Sequence, residues 1–265
     1  MGFETIIFTV ENKIAKITLN RPEVHNAFNN IMVSELTEVF KEIGARDDIR
    51  VVVLTGEGKS FCAGADLNWM RKIKDFSYEE NLQESLELAE LFYLIYSLSK
   101  PTVARVNGAA IGGGAGLVAV CDIAVASDRA KFSLSEVKLG LVPACISPYL
   151  IRRCGERNCR ELFLTGERFS AEKALQVGLV NRVVPHEELD DAVDKLVKQL
   201  LTSGPHAVAC AKDLLRIVPQ IGLDAAKKYT AEVIATLRIS DEGQEGMSAF
   251  LEKRKPKWHE ENSNS

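Results

Sequence analysis

Apolar residues along this chain recur with two periods, and each change of period marks an element. Residues 5–20, "TIIFTVENKIAKITLN", hold two short apolar runs around the turn "ENK". The alternation in "KIAKITL" predicts a pair of strands. "NNIMVSELTEVFKEIGARDD" places apolar residues at helical spacing and ends in a glycine-containing break, with Asn26 and Ala27 just upstream read as the start of this first helix. "IRVVVLTG" is a continuous apolar run, as expected of a strand buried on both faces. A polar loop, "EGKS", leads into "FCAGADLNWM", and a long helical pattern covers residues 77–100. Then come the strand "PTVARV", the glycine stretch "IGGGAGLVAVCD" and the strand "DIAVAS". "FSAEKALQVGLVNRVVP" reads as a Ser-capped helix, a glycine stop and a strand. Strands alternating with helices predict an α/β architecture with layered sheets. Beyond Pro185 the pattern turns helical, which predicts an α/β core over 1–195 and a helical region over 196–265 with a frayed polar tail.

Composition narrows the function classes. The chain has 265 residues, 46% hydrophobic and 26% charged, with a formal net charge of −4. That balance suits a globular enzyme and opposes a nucleic-acid coat, which needs a clustered basic surface. The N-terminal residues show no basic-then-apolar secretory pattern, and Ile6 stands where a myristoylation motif wants Ser or Thr. No apolar run is long enough to span a bilayer. The six cysteines form no CxxC pair and the four histidines are scattered, so no metal site is expected and a reducing, cytoplasmic compartment is.

Two segments share one design: "VVVLTG…FCAGAD" and "TVARVNGAAIGGGAG" each run from an apolar strand through small residues into a helical pattern. Backbone N–H groups at a helix start lack intrahelical acceptors, and small residues let a ligand approach them. Two such donors converging on one oxygen make an oxyanion hole. The competing reading is that the glycines only permit tight helix–strand packing. The string is no P-loop, and as a dinucleotide fingerprint it lies mid-chain without a clear acidic ribose partner.

"FCAGADL", "VNGAAIGGGAGLVAVCDI…AKFSLSEVKLGLVP", "LNRPEVHNAF", "GERFSAEKALQVGLVNRVVP" and "AFLEKRKPKW" together resemble the enoyl-CoA hydratase/isomerase family, the crotonase superfamily. The matches stay in order over nearly the whole chain. The resemblance implies a spiral of ββα repeats followed by helices used for assembly as a homotrimer or a dimer of trimers. It implies an acyl-CoA substrate, with CoA belonging to that substrate and no separate cofactor, and an enolate-like intermediate. By motif, Ala65 and Gly113 would donate the two N–H groups to the thioester oxygen. Val24, His25 and Ala63 would lie beside CoA, with Phe250 and Lys253 as contacts from the C-terminal segment, beside Arg254 and Lys255. Glu23 stands where members of the family often carry Lys.

Hydration needs a base for water and an acid for C2, and typical hydratases of the family supply two glutamates. "SLSEVKLGLVP" provides one, Glu136; the other position holds Gly116. One carboxylate also suffices for a Δ3-Δ2 isomerase, which moves a single proton between C2 and C4. "FCAGADLNWM" and "FSLSEVKLGLVPACISPYLI" look like hydratases of branched, carboxylated thioesters of the 3-methylglutaconyl-CoA type, which tips the reading to hydratase. Ala144, Cys145 and Ile146 would then reshape the acyl pocket, and Arg71, Lys72 or Lys74 would meet the second carboxylate. Trp69 and Met70 read as pocket or core packing, and Asp66 as a residue that holds its loop by backbone hydrogen bonds. Cys145 has no histidine placed to activate it. Some relatives bind RNA through a lysine-rich helix; here the comparable segment, "SYEENLQESLELAEL", is acidic, so nucleic acid is not an expected partner.

Overall fold

A computed structural model describes residues 2–260. Strands β1 (Ile6–Glu11) and β2 (Ile14–Leu19) form an antiparallel hairpin with Glu11 opposite Ile14. Its two linking residues, Asn12 and Lys13, have φ of 50° and 66°, the left-handed pair that matches the twist of a tight hairpin. After α1 (Asn30–Ala45), three ββα units follow: β3 (Val51–Gly56) and β4 (Ser60–Cys62) with α2 (Leu67–Ile73) and α3 (Tyr78–Ser97), then β5 (Thr102–Val106) and β6 (Ala109–Ile111) with α4 (Gly113–Val120), then β7 (Ile123–Ser127) and β8 (Lys131–Ser133) with α5 (Ser147–Thr165). The units are followed by β9 (Arg168–Ser170), α6 (Ala171–Gln176) and β10 (Arg182–Val184).

In each unit the first strand joins one sheet and the second joins another. The larger sheet has the order β1-β2-β3-β5-β7-β10, the smaller β4-β6-β8-β9. Steps from one unit to the next are parallel in both sheets. The chain is therefore a spiral whose turns stack, as the resemblance implied. All of "VVVLTG" is buried because both faces of the large sheet are covered. Val52 and Leu54 face the main core, while Val51 and Val53, with Val103 and Val125, meet α7 (Leu189–Leu201).

The expected division at residue 195 falls inside α7, whose Leu189, Val193, Leu196, Val197 and Leu201 pack on the sheet. Beyond it run α8 (Pro205–Ile217), α9 (Leu223–Ile239), α10 (Asp241–Leu251) and the short α11 (Lys257–Glu260). Helix α8 buries no residue completely and α9 only Ala226. One expectation is corrected near the start: α1 begins at Asn30, capped by Asn29, and Asn26 is not helical. Its φ is 57° and it is wholly buried, with Nδ2 donating to the Glu57 and Ser60 carbonyls and Oδ1 accepting from Arg21 N–H.

Candidate active site

Two chain reversals meet at the top of the small sheet. In the first, between β4 and α2, the Phe28 N–H donates to the Gly64 carbonyl at 2.6 Å and the Asp66 N–H donates to the Phe28 carbonyl at 2.8 Å. This one-residue parallel bridge pairs Phe28 with Ala65. In a parallel bridge the bracketed residue turns its own N–H away from its partner, so the Ala65 N–H points to the side opposite Phe28. Gly64 has φ of 88°, and a Cβ there would lie 2.9 Å from the Ile111 carbonyl oxygen, so only glycine fits. Asp66 then caps α2: Oδ1 accepts from Asn68 N–H at 2.7 Å and Trp69 N–H at 3.2 Å. Its carboxyl is held below the usual range even though burial, the largest single influence, pushes the other way; the capping N–H groups and Arg21 outweigh it.

In the second reversal, between β6 and α4, Gly112 takes φ of 53° and ψ of −119°, with its N–H bound to the Ser133 carbonyl. Gly113 opens α4, so its N–H has no intrahelical acceptor. A Cβ on Gly113 would stand 2.9 Å from the ring of Phe28, and one on Gly114 would strike the Cys62 carbonyl. Gly114 thus serves close packing, while the two glycines before it shape the free helix start. The close-packing reading thus holds at Gly114.

Glu136 enters from the 3-10 turn Ser135–Leu139 that follows β8. A Cβ on Gly112 would lie 3.0 Å from Glu136 Oε1, so the carboxylate sits directly against the start of α4. Oε2 is buried with no hydrogen-bond partner among the described residues, and burial pushes the carboxyl pKa up. An under-solvated carboxylate near the Ala65 and Gly113 N–H groups, for which no acceptor is found among the described residues, is suited to exchange one proton with a carbon acid whose charge moves onto a nearby oxygen.

The family model for enoyl-CoA hydratase/isomerase matches residues 9–261. The chain belongs to that family. A solved enoyl-CoA hydratase from Shewanella pealeana superposes with a TM-score of 0.94 at 41% identity, covering 97% of this chain and 96% of that one. A short-chain-enoyl-CoA hydratase of Clostridium acetobutylicum is 33% identical, with 96% and 97% of the two chains covered. The 2,3-dehydroadipyl-CoA hydratase of Escherichia coli is 33% identical, with 95% and 97% covered. Membership makes the protein an enzyme of the enoyl-CoA hydratase type, and the spiral of ββα units is the crotonase fold.

Against the family pattern, the place of the absent glutamate is filled. Gly116 is buried, and a Cβ there would collide with Cγ2 of Ile146 and stand 3.2 Å from the Phe92 ring. Ile146 therefore occupies the room a second carboxylate would need. Beside it, Cys145 Sγ donates to the Ser85 carbonyl at 3.5 Å, and burial raises its pKa, so the thiol is a neutral wall group. Trp69 packs edge-on against Phe76 with ring centroids 5.9 Å apart, and its indole N–H donates to Glu84 Oε1 at 3.0 Å. Sequence reading missed Glu84, because on an exposed-looking acidic helix nothing distinguishes it from its neighbours. A cavity of about 490 Å³ borders this pair and is lined also by Glu79, Glu80 and Glu87. Arg71, Lys72 and Lys74 are exposed, and Arg71 donates to Asn68 at 2.7 Å.

Of the positions expected beside CoA, three come together: the His25 carbonyl accepts from Ala63 N–H at 3.0 Å, next to Val24 at the end of a 3-10 turn. His25 is exposed with φ of 55°, and its Nδ1 lies 3.0 Å from Ser60 Oγ. Phe250 and Lys253 are exposed at the end of α10, which packs on α9 and α8. Among the described residues no hydrogen bond or ion pair joins them to the Val24–His25–Ala63 strip. Arg254 is engaged by Glu245 at 2.7 Å and Glu252 at 2.6 Å. No group of three or more His, Cys, Asp or Glu among the described residues is placed to hold a metal ion, and no described helix is long and apolar enough to cross a membrane.

Proposed function

We propose that this enzyme adds water to a branched, carboxylated 2-enoyl-CoA of the 3-methylglutaconyl type, using Glu136 as its one acid/base. The thioester oxygen is received by the Ala65 and Gly113 N–H groups. Glu136 takes a proton from water as its oxygen bonds to C3, the C2–C3 π electrons move onto the thioester oxygen as an enolate, and Glu136 returns a proton to C2 on the same face. Atoms and charge balance with water alone, and CoA enters only as part of the substrate.

The observation that carries the one-carboxylate mechanism is the filling of the Gly116 position by Ile146. An extended chain of conventional geometry gains nothing from an isoleucine there, whereas a branch at C3 changes the shape the wall must fit. The carboxylate is supported by the sequence likeness and by a relative named for a dicarboxylic thioester. Its partner is Arg71 or Lys72 on α2, or Lys74 just after it, since the cavity by Trp69 is acidic. Trp69, Gly116 and Cys145 form the acyl wall, and Val24, His25, Ala63, Phe250 and Lys253 remain the CoA contacts. The assembly is a homotrimer or a dimer of trimers, located in the cytoplasm.

A Δ3-Δ2 isomerase is the second reading, and the same filled position favours it, because one glutamate suffices for a C2-to-C4 proton transfer. Incubation in heavy-oxygen water separates the two. Label gained on 3-methylglutaconyl-CoA in preference to a straight 2-enoyl-CoA supports the hydratase. Isomerisation of a 3-enoyl-CoA with no label gained anywhere refutes it.

A further inference from the structure

We propose that Arg21 polarises the oxyanion hole through two peptide groups, a role that rests on the thioester-binding reading of Ala65 and Gly113. The Arg21 guanidinium is mostly buried, 18% exposed, and has two partners that both lead to Ala65. Nη1 donates to the Ala27 carbonyl at 2.7 Å, and Nη2 donates to Asp66 Oδ2 at 2.8 Å. Ala27 C=O and Phe28 N–H are the two ends of one peptide group. Phe28 N–H donates to Gly64 C=O at 2.6 Å, and Gly64 C=O shares its peptide group with Ala65 N–H.

The result is an unbroken series: guanidinium, the Ala27–Phe28 peptide, the Gly64–Ala65 peptide, then the substrate oxygen. Trans peptides set their dipoles head to tail along it. Each hydrogen bond in such a chain strengthens the next, and a cation at its head adds a charge-assisted bond. Negative charge developing on the thioester oxygen therefore meets an Ala65 N–H made more acidic by a cation two peptides away. Arg21 is pinned for this task, since its backbone N–H and C=O are both engaged by Asn26. Gly113 has the start of α4 behind it to supply partial positive charge. Ala65 precedes a helix of only seven residues, and Arg21 supplies what that helix start does not.

Arg21 touches no reacting atom, so it is a positioning residue and its test needs a readout that packing alone would not move. That readout is the carbonyl stretch of butyryl-CoA labelled with 13C at the thioester, measured by difference infrared spectroscopy on the bound complex. In the wild type the stretch falls below that of free butyryl-CoA. In Arg21→Gln it returns toward the free value, and kcat falls about tenfold while KM stays within about threefold. Arg21→Lys, which keeps the charge with a poorer fork, gives an intermediate stretch. Asp66→Asn keeps an oxygen to cap α2 and removes the counter-charge from Arg21, so its stretch falls at least as far as in the wild type.

A wild-type stretch in Arg21→Gln overturns the proposal. So does an Asp66→Asn stretch that rises as much as that of Arg21→Gln, which would show a loop clamp and no relay. No lowering in the wild type itself overturns the thioester reading, and the relay with it. Should Arg21→Gln fail to fold, Arg21→Lys and Asp66→Asn decide the matter by their opposite expected directions.

Discussion

Glu136 shows how burial sets both chemistry and stability at one residue. Its carboxyl is raised above the ordinary value of 4.5 because the charged form is poorly solvated. Between 4.5 and the raised value the folded state holds a proton that the unfolded state has released. Stability therefore falls as pH rises through that window, and above it the cost stays constant. Glu136→Gln removes the cost, so the variant should unfold at higher denaturant than the wild type at neutral pH. The difference should vanish below 4.5, and turnover should be lost throughout. A variant no more stable at neutral pH would show that the carboxylate is solvated. Gly116 makes the complementary case. Gly116→Ala drives a methyl into Ile146 and should lose about 1–3 kcal/mol by denaturant unfolding. With Ile146→Ala added, the double variant should lose clearly less than the sum of the two single losses, and Gly116→Glu combined with Ile146→Ala should gain turnover of straight 2-enoyl-CoA. No coupling between the two sites would mean that Ile146 does not fill the slot. Glu136, Ala65 and Gly113 were singled out by the family resemblance, and the fold sets their turns at the ends of the small sheet. Arg21, Phe28 and Glu84 were not, since their contacts join side chains and carbonyls that only folding brings together.

At the scale of elements, legibility follows length and the strength of the local signal. The six-residue β3 and the twenty-residue α3 could be read directly, and α3 starts at a capping box formed by Ser77 and Glu80. Ser170 as the cap of α6, Gly178 with φ of 81° as its stop and β10 beyond it were equally readable. The small sheet was not. Its strands β4, β6, β8 and β9 are three residues each, too short for alternation to show against the adjoining turns. Yet this sheet positions the site, because α4 and the Ala65 and Glu136 turns spring from its strand ends. Helix α7 went unplaced for another reason. Its apolar stripe is plain in the sequence, but a stripe has no address, and only the outward valines of β3, β5 and β7 supply one.

For the whole molecule, the C-terminal helices leave an imbalance that assembly would resolve. Leu223 of α9 is 89% exposed, Ile239 at its end 81% and Phe250 of α10 83%. Isolated exposed apolar residues need no explanation, but here they fall on consecutive helices that bury almost nothing within the chain. Polar helices of this length gain little stability alone and depend on packing against a neighbour. The proposed trimer would supply that neighbour. Light scattering on the purified protein should give three or six chain masses, stable to dilution into the micromolar range. Leu223→Glu combined with Ile239→Glu should shift the mass to one chain and lower the unfolding midpoint. Because α8–α10 lie outside both hydrophobic clusters, the spiral core of the variant should keep its far-ultraviolet strand signal. A wild type of one chain mass would leave these side chains without a partner and refute the trimer. An unchanged mass in the double variant would move the interface elsewhere on the surface.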